Sequence, residues 1–172
     1  MMKNKKGQVW VETVIYTLIA LIMISLALAY VRPKIEEIQD KALIEDTLNM
    51  MEQINSKLIE MKSPGNQRVL TLDLRKGELK IDGINDEIIF EIETSYVYSQ
   101  PDQQVDVGSV IAYTQTRGDL SIVSLIGNYS GKYNLTFQDK DELKTISHAA
   151  VPYELIIANN GGDKPVMDFE II

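Results

Sequence analysis

Between Thr13 and Val31 the chain carries no acidic or basic side chain, and that run constrains everything else about it. Leu, Ile, Ala and Met dominate it. As an α-helix, nineteen such residues extend about 28 Å, close to the roughly 30 Å hydrocarbon core of a bilayer. Lys3, Lys5 and Lys6 precede it, and the apolar character begins at Val9, interrupted in charge only by Glu12. A basic flank stays on the cytoplasmic side of a membrane. The expected topology is therefore a single span over about 9–31, N-terminus inside, with everything after Arg32 outside.

The helical pattern continues past that run. Ile35, Ile38, Ala42, Leu48, Met51, Ile54, Leu58 and Met61 recur mostly in steps of three or four, which predicts one apolar stripe on an amphipathic helix over 34–62. Glu36, Glu37, Asp40, Glu45, Glu52 and Glu60 are expected mostly off it. Ser63-Pro64-Gly65-Asn66 stops the pattern. One long helix over 8–63 follows, a rod on the order of 80 Å if unbroken. Pro33 is expected to kink or loosen it, because it lacks an N–H and crowds the preceding turn.

Charge separates the rest of the chain from this helix. Residues 1–63 balance eight Lys/Arg against eight Asp/Glu, so the net charge of -8 resides in residues 64–172. An acidic head has no electrostatic attraction for phosphate backbones, which argues against nucleic-acid binding. With no cysteine there is no disulfide framework, thiolate metal site or cysteine nucleophile.

Residues 64–172 read as β-structure. Leu70, Leu72 and Leu74 alternate on one face, and Arg75-Lys76-Gly77 turns into 78–82. Further strands are expected over 87–98, 105–115, 119–127, 132–138, 151–158 and 166–172, each rich in Val, Ile, Tyr or Phe. Turn signals fall at Asp82-Gly83, Pro101-Asp102, Arg117-Gly118-Asp119, Ser130-Gly131 and Gly161-Gly162-Asp163. About eight short strands predict a small antiparallel sandwich or barrel, so the fold class is α+β: a long hydrophobic helix followed by a β-sandwich-like head.

The N-terminal residues Lys5-Lys6-Gly7-Gln8-Val9-Trp10-Val11-Glu12 resemble the class III signal peptide of type IV pilins. Gln8 at the first mature position resembles archaeal pilins more than bacterial ones. The Phe-Thr-Leu-Ile-Glu run of bacterial pilins is missing, and the start is not the Gly-rich one common in archaellins, to which the helix-plus-head layout is similar. The match covers residues 3–31, and the helix-plus-head layout covers the whole chain. The resemblance implies processing by a membrane prepilin peptidase between Gly7 and Gln8. It removes the basic leader 1–7 and retains the apolar run as the core of a helical homo-oligomeric filament. It also implies a pilus assembly platform with its ATPase as partners, a cell-surface or extracellular location for the mature protein, and a role in adhesion or surface attachment. Glu12 is the fifth residue counted from Gln8, where the family often places a glutamate; there it pairs with the free α-amino group of residue one of a neighbouring subunit.

Independently of that resemblance, a carboxylate at the edge of a spanning helix calls for a partner, since one placed centrally costs about 2.5–3.5 kcal/mol on insertion scales. The alternative is that Glu12 marks the membrane interface and reaches the headgroups. A second alternative concerns processing. Ala27-Leu28-Ala29 fits a conventional signal-peptidase site, which would release a soluble protein from near Tyr30. An uncleaved, membrane-anchored surface binding protein is the third reading.

Two sequons, Asn128-Tyr129-Ser130 and Asn134-Leu135-Thr136, flank the turn expected at Ser130-Gly131 and make Asn128 and Asn134 candidate N-glycosylation sites. No catalytic constellation is expected: His148 is the only histidine, and no phosphate-cradling Gly loop is present. Asp139-Lys140-Asp141-Glu142 lacks the ligand spacing of a calcium loop and reads as a solvated turn. Neither a cofactor nor a metal is implied.

Overall fold

The computed structural model describes residues 5–118 and 120–172, for Lys5–Gln8 the backbone alone. A single helix, α1, runs Lys5–Glu60. Pro33 lies inside it, and the helix continues through it. The missing N–H and the crowded turn are absorbed within a helix that has bonded turns on both sides.

Ten strands follow: β1 Gln67–Leu72, β2 Glu78–Asp82, β3 Glu87–Thr94, β4 Gln104–Val107, β5 Val110–Arg117, β6 Leu120–Asn128, β7 Asn134–Phe137, β8 Leu143–Ser147, β9 Tyr153–Gly161 and β10 Val166–Ile171. They form two open sheets, a four-stranded one ordered β1-β9-β10-β7 and a six-stranded one ordered β4-β5-β6-β3-β2-β8. All pairings are antiparallel except β7 with β10. The α+β class with two mainly antiparallel sheets agrees with the expectation from the sequence. The strand count exceeds it by two, because the stretch 105–115 folds back on itself and Leu143–Ser147 adds an edge strand beside β2.

The fold-back is made by Gly108, whose φ of 62° suits the first position of a two-residue hairpin turn between Val107 and Val110. A Cβ there would also lie 2.0 Å from Glu52 Oε1. That same oxygen accepts a hydrogen bond from the Ser109 amide at 2.6 Å, so the helix reads the backbone of the turn. At the β7–β8 turn, Gln138 and Asp139 both take positive φ, 52° and 59°. This gives the Asp139-Lys140-Asp141-Glu142 segment the exposed turn expected of it, with the Asp139 amide donating to Asp168 Oδ1 at 2.7 Å.

The chain divides into two compact units between Gln39 and Asp40. In the unit Asp40–Ile172, alternate residues of the strands point inward, as in β3, where Ile88, Phe90, Ile92 and Thr94 are buried between half-exposed neighbours. The helix contributes a stripe of Asp40, Ile44, Thr47, Met51, Ile54 and Leu58, continued by Met61 just past its end, whose steps of four and three keep one face inward. Its apolar members share a single core with buried residues of both sheets, among them Leu79, Leu125, Ile157 and Phe169. Five fully buried apolar side chains on the stripe contribute on the order of 10 kcal/mol of gross burial energy.

From Met51 onward this stripe is the expected one. Before it the register differs: Ile35 and Ile38 are exposed, Ile44 takes the place assigned to Ala42, and Asp40 is inside. Asp40 is only 8% exposed. Its carboxylate accepts hydrogen bonds from Lys76 Nζ and Thr94 Oγ1, both at 2.7 Å, and from the Ser95 amide at 3.3 Å. Burial pushes this carboxyl up, but the hydrogen bonds from Lys76 and Thr94 and the lysine charge outweigh it, and the group titrates below its ordinary 3.8. Asn159 caps the other end of the stripe, donating through Nδ2 to the Met61 carbonyl at 2.7 Å, one of the acceptors a helix leaves open at its C-terminus.

Asp40→Ala strands the buried Thr94 hydroxyl and costs about 2 kcal/mol in the unfolding free energy of the full chain in detergent, measured by urea denaturation. The Asp40 carboxyl titrates lower folded than unfolded. Its contribution is therefore complete above the ordinary value of 3.8 and is lost as pH falls through the folded value. The stability gap between wild type and Asp40→Asn accordingly closes only on acidification.

Candidate functional site

The segment of α1 before Gln39 forms its own unit, and its side-chain chemistry is one-sided in composition. Every large apolar side chain from Val9 to Val31 is exposed, between 44% at Val31 and 75% at Tyr30. The helix is long and apolar enough over this run to cross a membrane.

Its few hydroxyls are turned back on the helix. Thr13 Oγ1 donates to the Val9 carbonyl at 2.9 Å and Ser25 Oγ to the Leu21 carbonyl at 2.8 Å; Thr17 donates in the same way to the Thr13 carbonyl. Each hydroxyl proton is thus used inside the helix, which is how Ser and Thr are accommodated where water is scarce. The surface left to the surroundings is built mainly from alkyl and aromatic groups, with the indole of Trp10 and the phenol of Tyr30, 72% and 75% exposed, as polar points beside Glu12.

Glu12 is the one carboxylate among these residues. The Tyr16 hydroxyl, one turn on, donates to its Oε1 at 3.3 Å. This is a long hydrogen bond to a charged acceptor, and it leaves most of the carboxylate's bonding capacity open. Sequence reasoning did not single out Tyr16, although its spacing of four from Glu12 on a helix is the signal that places it there. Lys5, Lys6, Gly7 and Gln8, the residues expected to mark processing, lie in the first turns of α1, where the backbone is helical through the Gly7–Gln8 bond. Lys3, with the rest of 1–4, lies outside the described residues. Just beyond the apolar run, Lys34 Nζ donates to Glu37 Oε2 at 2.6 Å, and that hydrogen bond holds the lysine above its ordinary range.

In the head, Asn128 and Asn134 bracket the turn that joins β6 to β7. Asn128 is exposed at the end of β6, and Asn134 is half-buried at the start of β7. Tyr129 between them is 4% exposed, and burial pushes its phenol up to about 12. Its ring stands 6.3 Å from that of Tyr133. His148 is exposed just past β8, lining a shallow depression with Lys76, Glu91 and Glu93. Asp119, in the turn before β6, lies outside the described residues. Comparison with known protein families, curated proteins and solved structures finds no match.

The apolar face of α1 sets an expectation for membrane insertion. Ala20→Arg, at the middle of the run, raises the apparent free energy of insertion by about 2.5–3.5 kcal/mol. Thr13→Val and Ser25→Ala, whose hydroxyls are already satisfied internally, leave it nearly unchanged. A reporter assay of insertion in microsomes checks both.

Proposed function

We propose that this chain is the precursor of a type IV pilin-like subunit that assembles into an extracellular filament through its N-terminal helix. The observation that carries this reading is the exposed apolar surface of residues 9–31, broken by one carboxylate at Glu12 and followed by a separately packed β-rich unit. A lone anchor needs the apolar surface. It has no use for a glutamate five residues beyond a glycine that follows two lysines.

In this reading the precursor inserts with the Lys-rich leader inside and the acidic head outside. A prepilin peptidase hydrolyses the Gly7–Gln8 bond, removing the leader and freeing the α-amino group of Gln8. Glu12, engaged within its own helix only by the long Tyr16 bond, then pairs with the Gln8 ammonium of an adjacent subunit. An opposite charge compensates the cost of keeping a carboxylate in an apolar bundle. Helices of sister subunits replace lipid around residues 9–31 as an ATPase-driven platform draws the subunit into the filament. The heads form its outer surface, where they serve attachment.

Mass spectrometry of the N-terminus of the mature protein, from membranes and culture fluid, tests the scheme directly. A start at Gln8 is expected. A start near Tyr30 would instead make it a secreted soluble protein, and an intact leader a tethered one. Gly7→Val should leave uncleaved precursor in the membrane, because the added side chain blocks the peptidase subsite; normal maturation of that variant would remove the basis of the proposal. Glu12→Ala should be cleaved normally yet yield far fewer filaments by electron microscopy. Wild-type filament yield would count against the Glu12–Gln8 pairing.

A further inference from the structure

The two sequons share a motif but occupy opposite structural situations. We infer that Asn128 is the acceptor of an N-linked glycan and that Asn134 is not. The inference rests on the reading of the head as extracytoplasmic.

Asn128 sits where a strand gives way to a turn. Its side-chain oxygen accepts hydrogen bonds from the Ser130 hydroxyl at 2.7 Å and the Ser130 amide at 3.1 Å. The third residue of the sequon is thereby folded back onto the first, with both exposed. Two donors on the carboxamide oxygen withdraw electron density through the amide and make its N–H protons easier to remove. The amide nitrogen donates to Glu87 Oε1 at 2.8 Å. An Asn amide carries two protons, so one remains for substitution. The rest of the turn is held by its own backbone and by burial. Tyr129 is buried, its amide donates to the Asp86 carbonyl at 2.9 Å, and the Lys132 and Tyr133 amides close onto the Tyr129 carbonyl at 2.8 and 2.9 Å.

Asn134 opens β7, and its sequon is committed to the sheet. Leu135 is fully buried and Thr136 is 7% exposed. The Thr136 hydroxyl donates to Asp168 Oδ1 at 2.6 Å, and β7 pairs in parallel with β10 from Asn134 to Phe137. The Asn134 amide donates to the Pro165 carbonyl at 3.0 Å and the Leu135 amide to Asp86 Oδ1 at 2.8 Å. A transferase that must grip the hydroxyl of the third residue finds it exposed at Ser130, bonded only to the acceptor side chain itself, and sequestered within the sheet at Thr136.

The co-substrate class is an oligosaccharide linked through phosphate to a lipid carrier, presented on the same side of the membrane as the head. The Asn128 nitrogen attacks the anomeric carbon. The N–C bond forms as the C–O bond to phosphate breaks, the electron pair leaves with the lipid phosphate, and the amide proton passes to a base of the transferase. No oxidant or reductant is required.

The test uses the full chain with an Asn-Gly-Thr reporter tail added after Ile172, expressed in cells whose transferase acts outside the cytoplasm, and glycopeptide mass spectrometry as readout. The expected result is modification at the tail and at Asn128 but not at Asn134. Asn128→Gln and Ser130→Ala should abolish the head modification, while Ser130→Thr and Asn134→Gln should retain it. A modified tail with unmodified Asn128 would overturn the assignment while leaving the topology intact, and so would a glycan on Asn134. An unmodified tail would show that the head does not reach the transferase, and the assignment would fall with the topology.

Discussion

The stripe of α1 from Ile44 to Met61 is the contact on which the head depends. Two open sheets that each turn one apolar face inward need a third element to complete their core, and these helical side chains share one cluster with both. The helix is therefore a structural part of the head from Asp40 on. Removing it would open the cluster that it shares with Leu79, Leu125, Ile157 and Phe169, a loss of buried apolar surface that a marginally stable unit of this size tolerates poorly.

Two aspartates supply direction to this otherwise non-directional packing. Asp40 gathers donors from the β1–β2 connection and the end of β3 onto the helix, and so sets which turn of α1 enters the head. Asp86 reaches from the β2–β3 turn to the amide of Leu135 on the free edge of β7 and to Lys164 Nζ at 2.8 Å. A carboxylate spent on a strand-edge amide joins one sheet to the other and keeps that edge from pairing elsewhere. Both residues combine charge with burial, so each is costly to leave without its partners.

The apolar run and the end of α1 shortly before Ser63-Pro64-Gly65 were legible because they depend on local composition, which a sequence displays directly. The helix register before Met51 was not. Asp40 and Thr47 are polar residues on the buried face, satisfied by Lys76, Thr94 and Ser95 in one case and by the Leu43 carbonyl in the other. A hydrophobic pattern cannot reveal partners more than thirty residues away. The β4–β5 hairpin stayed hidden for a related reason: Gly108-Ser109 reads as a weak turn signal until Glu52 is seen capping it. In the N-terminal segment, Glu12 stood out by charge alone, whereas Tyr16 acquires meaning only once the helix places it one turn away. The contrast between the sequons was invisible, since motif letters do not distinguish an exposed serine folded onto its own asparagine from a threonine bonded within a sheet.

The inward-turned hydroxyls of Thr13, Thr17 and Ser25 have a mechanical corollary. Between Leu18 and Ala29 no side chain turns a hydrogen-bond donor outward, and such an alkyl surface has little to resist rotation about its axis or axial slip against whatever packs on it. Dispersion falls off smoothly with displacement, whereas a hydrogen bond must break. Such a surface behaves as a bearing. The features able to act as detents lie towards its two ends, the Trp10 indole, the Glu12 carboxylate and the Tyr16 hydroxyl at one and the Tyr30 hydroxyl at the other. A helix of this kind packed in a bundle would have its angular setting decided at its ends, with the length between them free to yield under load.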